Sequence, residues 1–172
     1  MKKDEIHLYY FDESGFSLTP SVPYCWPDRG KNKRIKIPSS RSKRINVAGL
    51  LNPTKQKLKS FKYEDTINSN RVIEIFDRMT KQLEKETWII LDNASFHRSK
   101  TVKNKIKQWE EKGLFLYYLP PYSPHLNLIE RLWLFMKYQW MPFYAYSSFA
   151  SLTKSIDHML GGYGQSYKIN FA

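Results

Sequence analysis

Cysteine is almost absent: Cys25 is the single one in 172 residues. A lone thiol excludes an internal disulfide framework and fits a reducing compartment. Long apolar runs are missing too, since no stretch approaches the ~20 residues that a membrane-spanning helix needs. The opening MKKDEIHLYYF places acids before a short apolar run, which is not the pattern of a secretory leader. These absences point to a cytoplasmic protein with no membrane partner. A further absence is local. Between Arg29 and Lys62 there is no Asp or Glu, while the same stretch holds twelve Lys and Arg. The rest of the chain balances at sixteen charges of each sign, so the whole formal excess of +12 comes from that segment. A patch so concentrated suits a polyanion, most often nucleic acid; the plain alternative is a solubilising surface loop.

What is present is enough to fold. Hydrophobic residues make up 41% and aromatics 16% of a chain long enough for one domain with its own core. Residues 6–11 (IHLYYF) read as a strand, stopping at Asp12-Glu13-Ser14-Gly15, a turn from which residues 16–18 return as a hairpin partner. Prolines and Gly30 make residues 20–40 irregular. Residues 44–51 (RINVAGLL) read as a strand, with a short one near 61–63. Helical period takes over across 66–84, marked by Ile67, Val72, Ile75, Phe76, Met79 and Leu83. Residues 88–91 (WIIL) form a continuous apolar run, the pattern of a central strand buried on both faces. A basic helix over 100–111, a strand over 114–118, a helix from the LPPYSP turn to about Trp140 and a last helix over 148–160 complete the chain. Strands first, then strand–helix units, predict an α/β fold. Its mixed sheet has an antiparallel hairpin region and parallel strands joined through flanking helices. Any active site then belongs at the carboxyl ends of the parallel strands.

Three carboxylates stand out. Asp12 ends the first predicted strand and Asp92 ends the central one. If those strands are parallel neighbours, both acids emerge at one sheet edge, where they repel unless a cation joins them. Mg²⁺ takes such oxygen ligands, and paired ions about 3.5–4 Å apart serve phosphoryl transfer. Glu130 sits in an apolar helix, at the edge of the stripe formed by Ile129, Leu132, Trp133, Met136 and Trp140. Each acid also has an ordinary explanation. Asp-Asn after a strand is common turn chemistry. Asp12 to Gly15 is a respectable turn, and Asn127-x-x-Glu130 matches a capping box with Asn127 as N-cap. The residues alone reach a metal-dependent, nuclease-like site beside a basic surface.

Three motifs go further: FDESGF at residues 11–16, LDNASFHRS at 91–99 and LPPYSPHLNLIERLW at 119–133. In this order they resemble the DDE transposases of the IS630/Tc1/mariner superfamily, over most of residues 6–140. The resemblance implies a ribonuclease H-like fold and an acid triad on two Mg²⁺ ions, with Mn²⁺ as a substitute. The triad falls on Asp12, Asp92 and Glu130, the last two 38 positions apart. Asn93 and His97 also match recurrent family positions; His97 either assists at the site or helps to begin the next helix. Where the family often has proline after the third motif's Asn, this chain has Leu128. The implied chemistry is metal-dependent hydrolysis of a DNA phosphodiester, giving a 3′-hydroxyl that attacks target DNA at a TA dinucleotide. The implied partners are double-stranded DNA, as transposon end and target, and further copies of the chain in a dimer or larger assembly. Arg29, Lys31, Lys33, Arg34, Lys36, Arg41, Lys43 and Arg44 are the candidate DNA contacts. Complete members carry a helix-turn-helix region before the catalytic domain. This chain starts almost at the first catalytic strand, so a single catalytic domain over 1–172 is expected, without that region. The competing readings are an inactive DNA-binding remnant and a ribonuclease H-like nuclease with no role in transposition.

Overall fold

The computed structural model describes residues 6–21, 43–121 and 123–171. Its strands are β1 (His7–Ser17), β2 (Arg44–Asn52), β3 (Lys57–Tyr63), β4 (Thr87–Leu91) and β5 (Leu114–Tyr118). They form one sheet in the order β3-β2-β1-β4-β5. The first three pair antiparallel, and β4 and β5 run parallel to β1. This is the expected mixed sheet. The helices are α1 (Ser69–Thr80), α2 (Lys100–Glu110), α3 (Leu128–Phe135) and α4 (Phe149–Gly161).

The two parallel crossovers place α1 and α2 together on one face. Asn68 caps α1 by accepting from the amides of Asn70 and Arg71, and Ser99 caps α2 through the Val102 amide. The buried stripe Val72, Ile75, Phe76 and Met79 then meets Phe11, Leu50, Ile89 and Leu91 of the sheet. Trp109 of α2 donates its indole N–H to Asp77 of α1 at 2.7 Å, which ties the two helices to each other. The opposite face is covered by α3 and α4, whose Ile129, Leu132, Trp133, Leu152 and Ile156 pack on Phe16, Val47 and Leu51.

Three expectations need correction. Residues 12–15 are not a turn, and 16–18 do not fold back. Instead, β1 runs straight through them for 11 residues, because β2 pairs with it from Tyr10 to Ser17. A neighbouring strand outweighs local turn chemistry, as β-structure generally follows context. Asp12 therefore lies within a strand. Second, β4 is not buried on both faces. Ile89 and Leu91 face the α1–α2 layer and are fully buried, whereas Trp88 and Ile90 on the other face are only partly buried. Trp88 stacks on Phe115 at 5.0 Å there. Third, the helix expected to reach Trp140 is broken into a 3-10 turn over Pro124–Leu126, α3, and a π-helical turn over Met136–Trp140. Such π turns often accompany functional sites.

Candidate active site

Strand register brings the first two acids together. β1 and β4 pair His7 with Thr87 and Tyr10 with Ile90. Continued by two residues, the same register sets Asp12 level with Asp92, just past the end of β4. Side chains alternate along a strand, so Asp12 faces α3 and Glu13, its neighbour, faces the α1–α2 layer.

The third acid is brought in by α3, and α3 is fastened to β1 beside Asp12. The amide of buried Asn127 donates to the Phe11 carbonyl at 3.0 Å. The Trp133 indole donates to Asp12 Oδ2 at 3.1 Å. Opposite Asp12 in the ladder stands Gly49, where a Cβ would lie 2.8 Å from Ile129 Cδ1 and 2.9 Å from the Trp133 ring. The missing side chain lets the helix seat directly on the sheet. Asn127 occupies the cap position of α3, but its side chain makes no capping bond. Glu130 accepts no hydrogen bond from any described residue, so the capping-box explanation of this pair does not hold.

Asp92 and Glu130 line one open cleft of about 440 Å³, with Asn93, Arg98, Pro120 and Pro124. Asp12 is not among the residues lining that cleft, but it is close enough to Asp92 and Glu130 for both to perturb it. Burial, then Glu13, Glu130 and Asp92, push the Asp12 carboxyl well above its usual range, against a lowering contribution from the Glu13 backbone amide. Burial and then Asp92 raise Glu130, with Lys137 opposing. Asp92 moves the other way: its hydrogen bond to His97 outweighs burial and holds it low. As the side chains lie, no three His, Cys, Asp or Glu among the described residues close into a metal-holding set. The donor set is nevertheless all carboxylate oxygen, the kind that hard divalent cations take, and two of its members, Asp12 and Glu130, have their proton affinity raised by the negative charge of the others.

Of the other candidates, Asn93 donates its side-chain amide to the Leu119 carbonyl, locking the loop after β4 to the end of β5. His97 is fully buried and sits between two acids, Asp92 at 2.7 Å and Glu13 at 2.8 Å. It does not begin α2, whose cap is Ser99. Burial lowers the His97 pKa, but the two carboxylates outweigh it and leave it at about 9. Arg29, Lys31, Lys33, Arg34, Lys36 and Arg41 lie outside the described residues. Lys43 sits over the Phe149 ring at 5.3 Å, and the Arg44 guanidinium lies against Gly15, whose position in the pleat faces the α1–α2 side. The later lysines of the basic segment go elsewhere: Lys55, Lys57 and Lys59 line a separate cleft with His7 and Lys85, at the start of β1.

Sequence reasoning missed four residues. Glu13 was hidden by the turn expectation. Trp133 and Lys137 stand three and seven positions after Glu130, a helical spacing that could have placed them on its face. Lys137 is half-buried; burial and Arg44 lower its pKa, while Asp12 and Glu130 oppose the shift. Arg98 carried no signal beyond its charge.

Residues 7–153 match the family model described as DDE superfamily endonuclease. The chain belongs to that family. A relative, the insertion element IS630 uncharacterized 39 kDa protein of Shigella sonnei, is 30% identical over 128 residues. That match covers 73% of this chain and 36% of the relative. Among solved structures, the Mos1 mariner paired-end complex with Mn superposes with a TM-score of 0.59 at 17% identity, over 90% of this chain and 48% of that one. The HTLV-2 integrase catalytic core domain in complex with magnesium gives 0.56 at 13% identity, over 94% and 88%. The fold is therefore the ribonuclease H-like fold of integrases and transposases. The chain spans about a third of the IS630 relative and half of the Mos1 chain. No helix among the described residues is long and apolar enough to cross a membrane.

Proposed function

We propose that this chain is the catalytic domain of a DNA transposase, cutting and joining DNA phosphodiesters at Asp12, Asp92 and Glu130. One observation carries the reading. Three acids far apart in sequence, on β1, after β4 and on α3, come near one another at the carboxyl end of the parallel strands: Asp92 and Glu130 both raise the Asp12 carboxyl, and Asp92 raises Glu130. The IS630 relative and the folds shared with Mos1 and retroviral integrase support it. The three carboxylates are the residues that would hold two Mg²⁺ ions, with Mn²⁺ as a substitute. Ions of this kind supply an activated water and a counter-charge for the leaving oxygen. The chain's own part is placement. Trp133 fixes one oxygen of Asp12, His97 and the Ala94 amide fix Oδ1 of Asp92, and Glu130 stays unbonded at the cleft wall. Arg98 at the cleft, with Lys43 and Lys137 on the α3 side and Arg44 beside Gly15 of β1, offers positive charge to the DNA backbone. Arg29 to Arg41 extend the same basic segment.

The test is nicking of terminal-repeat DNA against random DNA, in Mg²⁺, Mn²⁺ or EDTA, with binding followed separately. Glu130→Gln keeps the size of the side chain and removes its charge. Cleavage should fall by orders of magnitude while DNA binding persists, and Asp12→Asn and Asp92→Asn should match it without adding to it, since the acids act as one unit. Glu110→Gln on α2 serves as the silent control. Full nicking by Glu130→Gln would remove the site. Metal-dependent cutting with no preference for terminal repeats and no joining would favour a nuclease without transposition.

A further inference from the structure

We propose that Glu13 and His97 are positioning residues that aim the Asp92 carboxylate into the cleft, a role that rests on Asp92 being a metal-holding acid. The His97 ring spans the gap between β1 and the loop after β4. Its Nδ1 lies 2.7 Å from Asp92 Oδ1, and its Nε2 lies 2.8 Å from Glu13 Oε1. The Ala94 amide donates to the same Asp92 Oδ1 at 3.0 Å. One oxygen of Asp92 is thus committed, and Oδ2 accepts nothing from the described residues. A carboxylate held in this way presents its second oxygen in a fixed direction. Glu13 fixes the far end of the ring, and its own side chain is only 15% exposed.

The competing explanation is a satisfied core histidine that merely closes the loop. The surroundings argue against it. The ring is fully buried beside Phe96 at 4.3 Å and Phe11 at 5.5 Å. Burying an imidazole and most of the Glu13 carboxylate beside aromatics is a poor route to stability, because apolar side chains of similar volume often serve as well or better. The loop is also held without it. Tyr118 donates its hydroxyl to the His97 carbonyl at 3.0 Å, Ser69 donates to the Phe96 carbonyl at 2.8 Å, and Asn93 reaches the Leu119 carbonyl. What the ring adds is the orientation of the Asp92 carboxylate. Partners of this kind behind a metal-holding side chain typically change affinity by roughly 10- to 100-fold when removed.

The experiment measures Mn²⁺ affinity of the whole chain by calorimetry, with melts in EDTA as a check on folding. Glu13→Ala should weaken Mn²⁺ binding by roughly 10- to 100-fold. Glu13→Gln, whose side-chain carbonyl still accepts from Nε2–H, should recover most of the loss, and His97→Ala should match Glu13→Ala. A histidine that only closes the loop would lower the EDTA melt of these variants and leave Mn²⁺ affinity alone, and that result overturns the proposal. Should Glu13→Ala fail to fold, wild type decides: in ¹⁵N-histidine-labelled protein, Mg²⁺ should shift the His97 ring nitrogens and leave His158 on α4 in place. An unmoved His97 in protein that binds Mg²⁺ overturns the proposal alone. Wild type that binds no metal overturns the metal reading, and this role with it.

Discussion

Gly49→Ala adds one methyl at the point where α3 meets the sheet. The glycine has an ordinary strand backbone, so the penalty is steric. The new Cβ would stand 2.8 Å from Ile129 Cδ1 and 2.9 Å from Trp133 Cζ2 and Cη2. Carbon atoms in contact prefer ~3.5–4.0 Å, so the helix must withdraw by roughly 0.6–1.2 Å. Neither neighbour gives way easily, since Ile129 is fully buried and Trp133 nearly so. Overpacking of this kind costs about 1–3 kcal/mol. Replacing glycine restricts the unfolded chain and returns about 0.4–1 kcal/mol. A net loss of about 1–2 kcal/mol should lower the melting temperature by roughly 2–8 °C in a domain of this size. The same withdrawal stretches the Trp133–Asp12 hydrogen bond, already 3.1 Å long, and moves Glu130 away from Asp12. Metal-dependent nicking should therefore fall at temperatures where the variant is still fully folded. Thermal melts in EDTA, paired with nicking at 20 °C, measure both effects. Adding Ile129→Val removes Cδ1, so the double variant should be more stable than the sum of the single losses. A Gly49→Ala protein that melts at or above wild type and nicks DNA normally would refute this account of how α3 and Glu130 are placed.

Two further outcomes are expected. Asn127→Ala leaves the Phe11 carbonyl without its buried donor, which should cost about 1–3 kcal/mol in urea unfolding and lower cleavage by freeing the start of α3. His97 should give the fold a pH dependence. Its folded pKa of about 9 lies above the ordinary 6.5, so the folded protein holds a proton that the unfolded chain gives up. That stabilisation is complete below about pH 6.5 and lost as the pH rises through about 9. Urea unfolding in EDTA should weaken across this window, and less so in His97→Asn; identical slopes for the two proteins would contradict the placement of His97 between two acids.

Much of this could be read from the sequence. The strand–helix order foretold the mixed sheet, and the end of the WIIL run marked where Asp92 leaves β4. What failed was local in origin. Asp-Glu-Ser-Gly is turn chemistry in an isolated peptide, but β2 supplies hydrogen-bond partners all along it, and the strand continues. Asn127-x-x-Glu130 is capping chemistry in an isolated helix, but the Asn127 amide is taken by Phe11, 116 residues earlier. In both cases a partner that short-range reasoning cannot see outweighed the nearest one.

The first of these errors also hid Glu13. A turn gives adjacent acids no fixed relation, whereas a strand sends them to opposite faces. Once residues 12–15 are strand, two neighbouring carboxylates must do different things. Asp12 goes to the α3 side, where Trp133 meets it, and Glu13 goes to the α1–α2 side, where His97 meets it. His97 then reaches Asp92, which stands level with Asp12 in the sheet. The pleat of one strand thus places one acid for the cleft and another for the support behind it. An insertion of one residue between Phe11 and Asp12 would exchange the two faces, and no substitution elsewhere in the strand would restore both contacts.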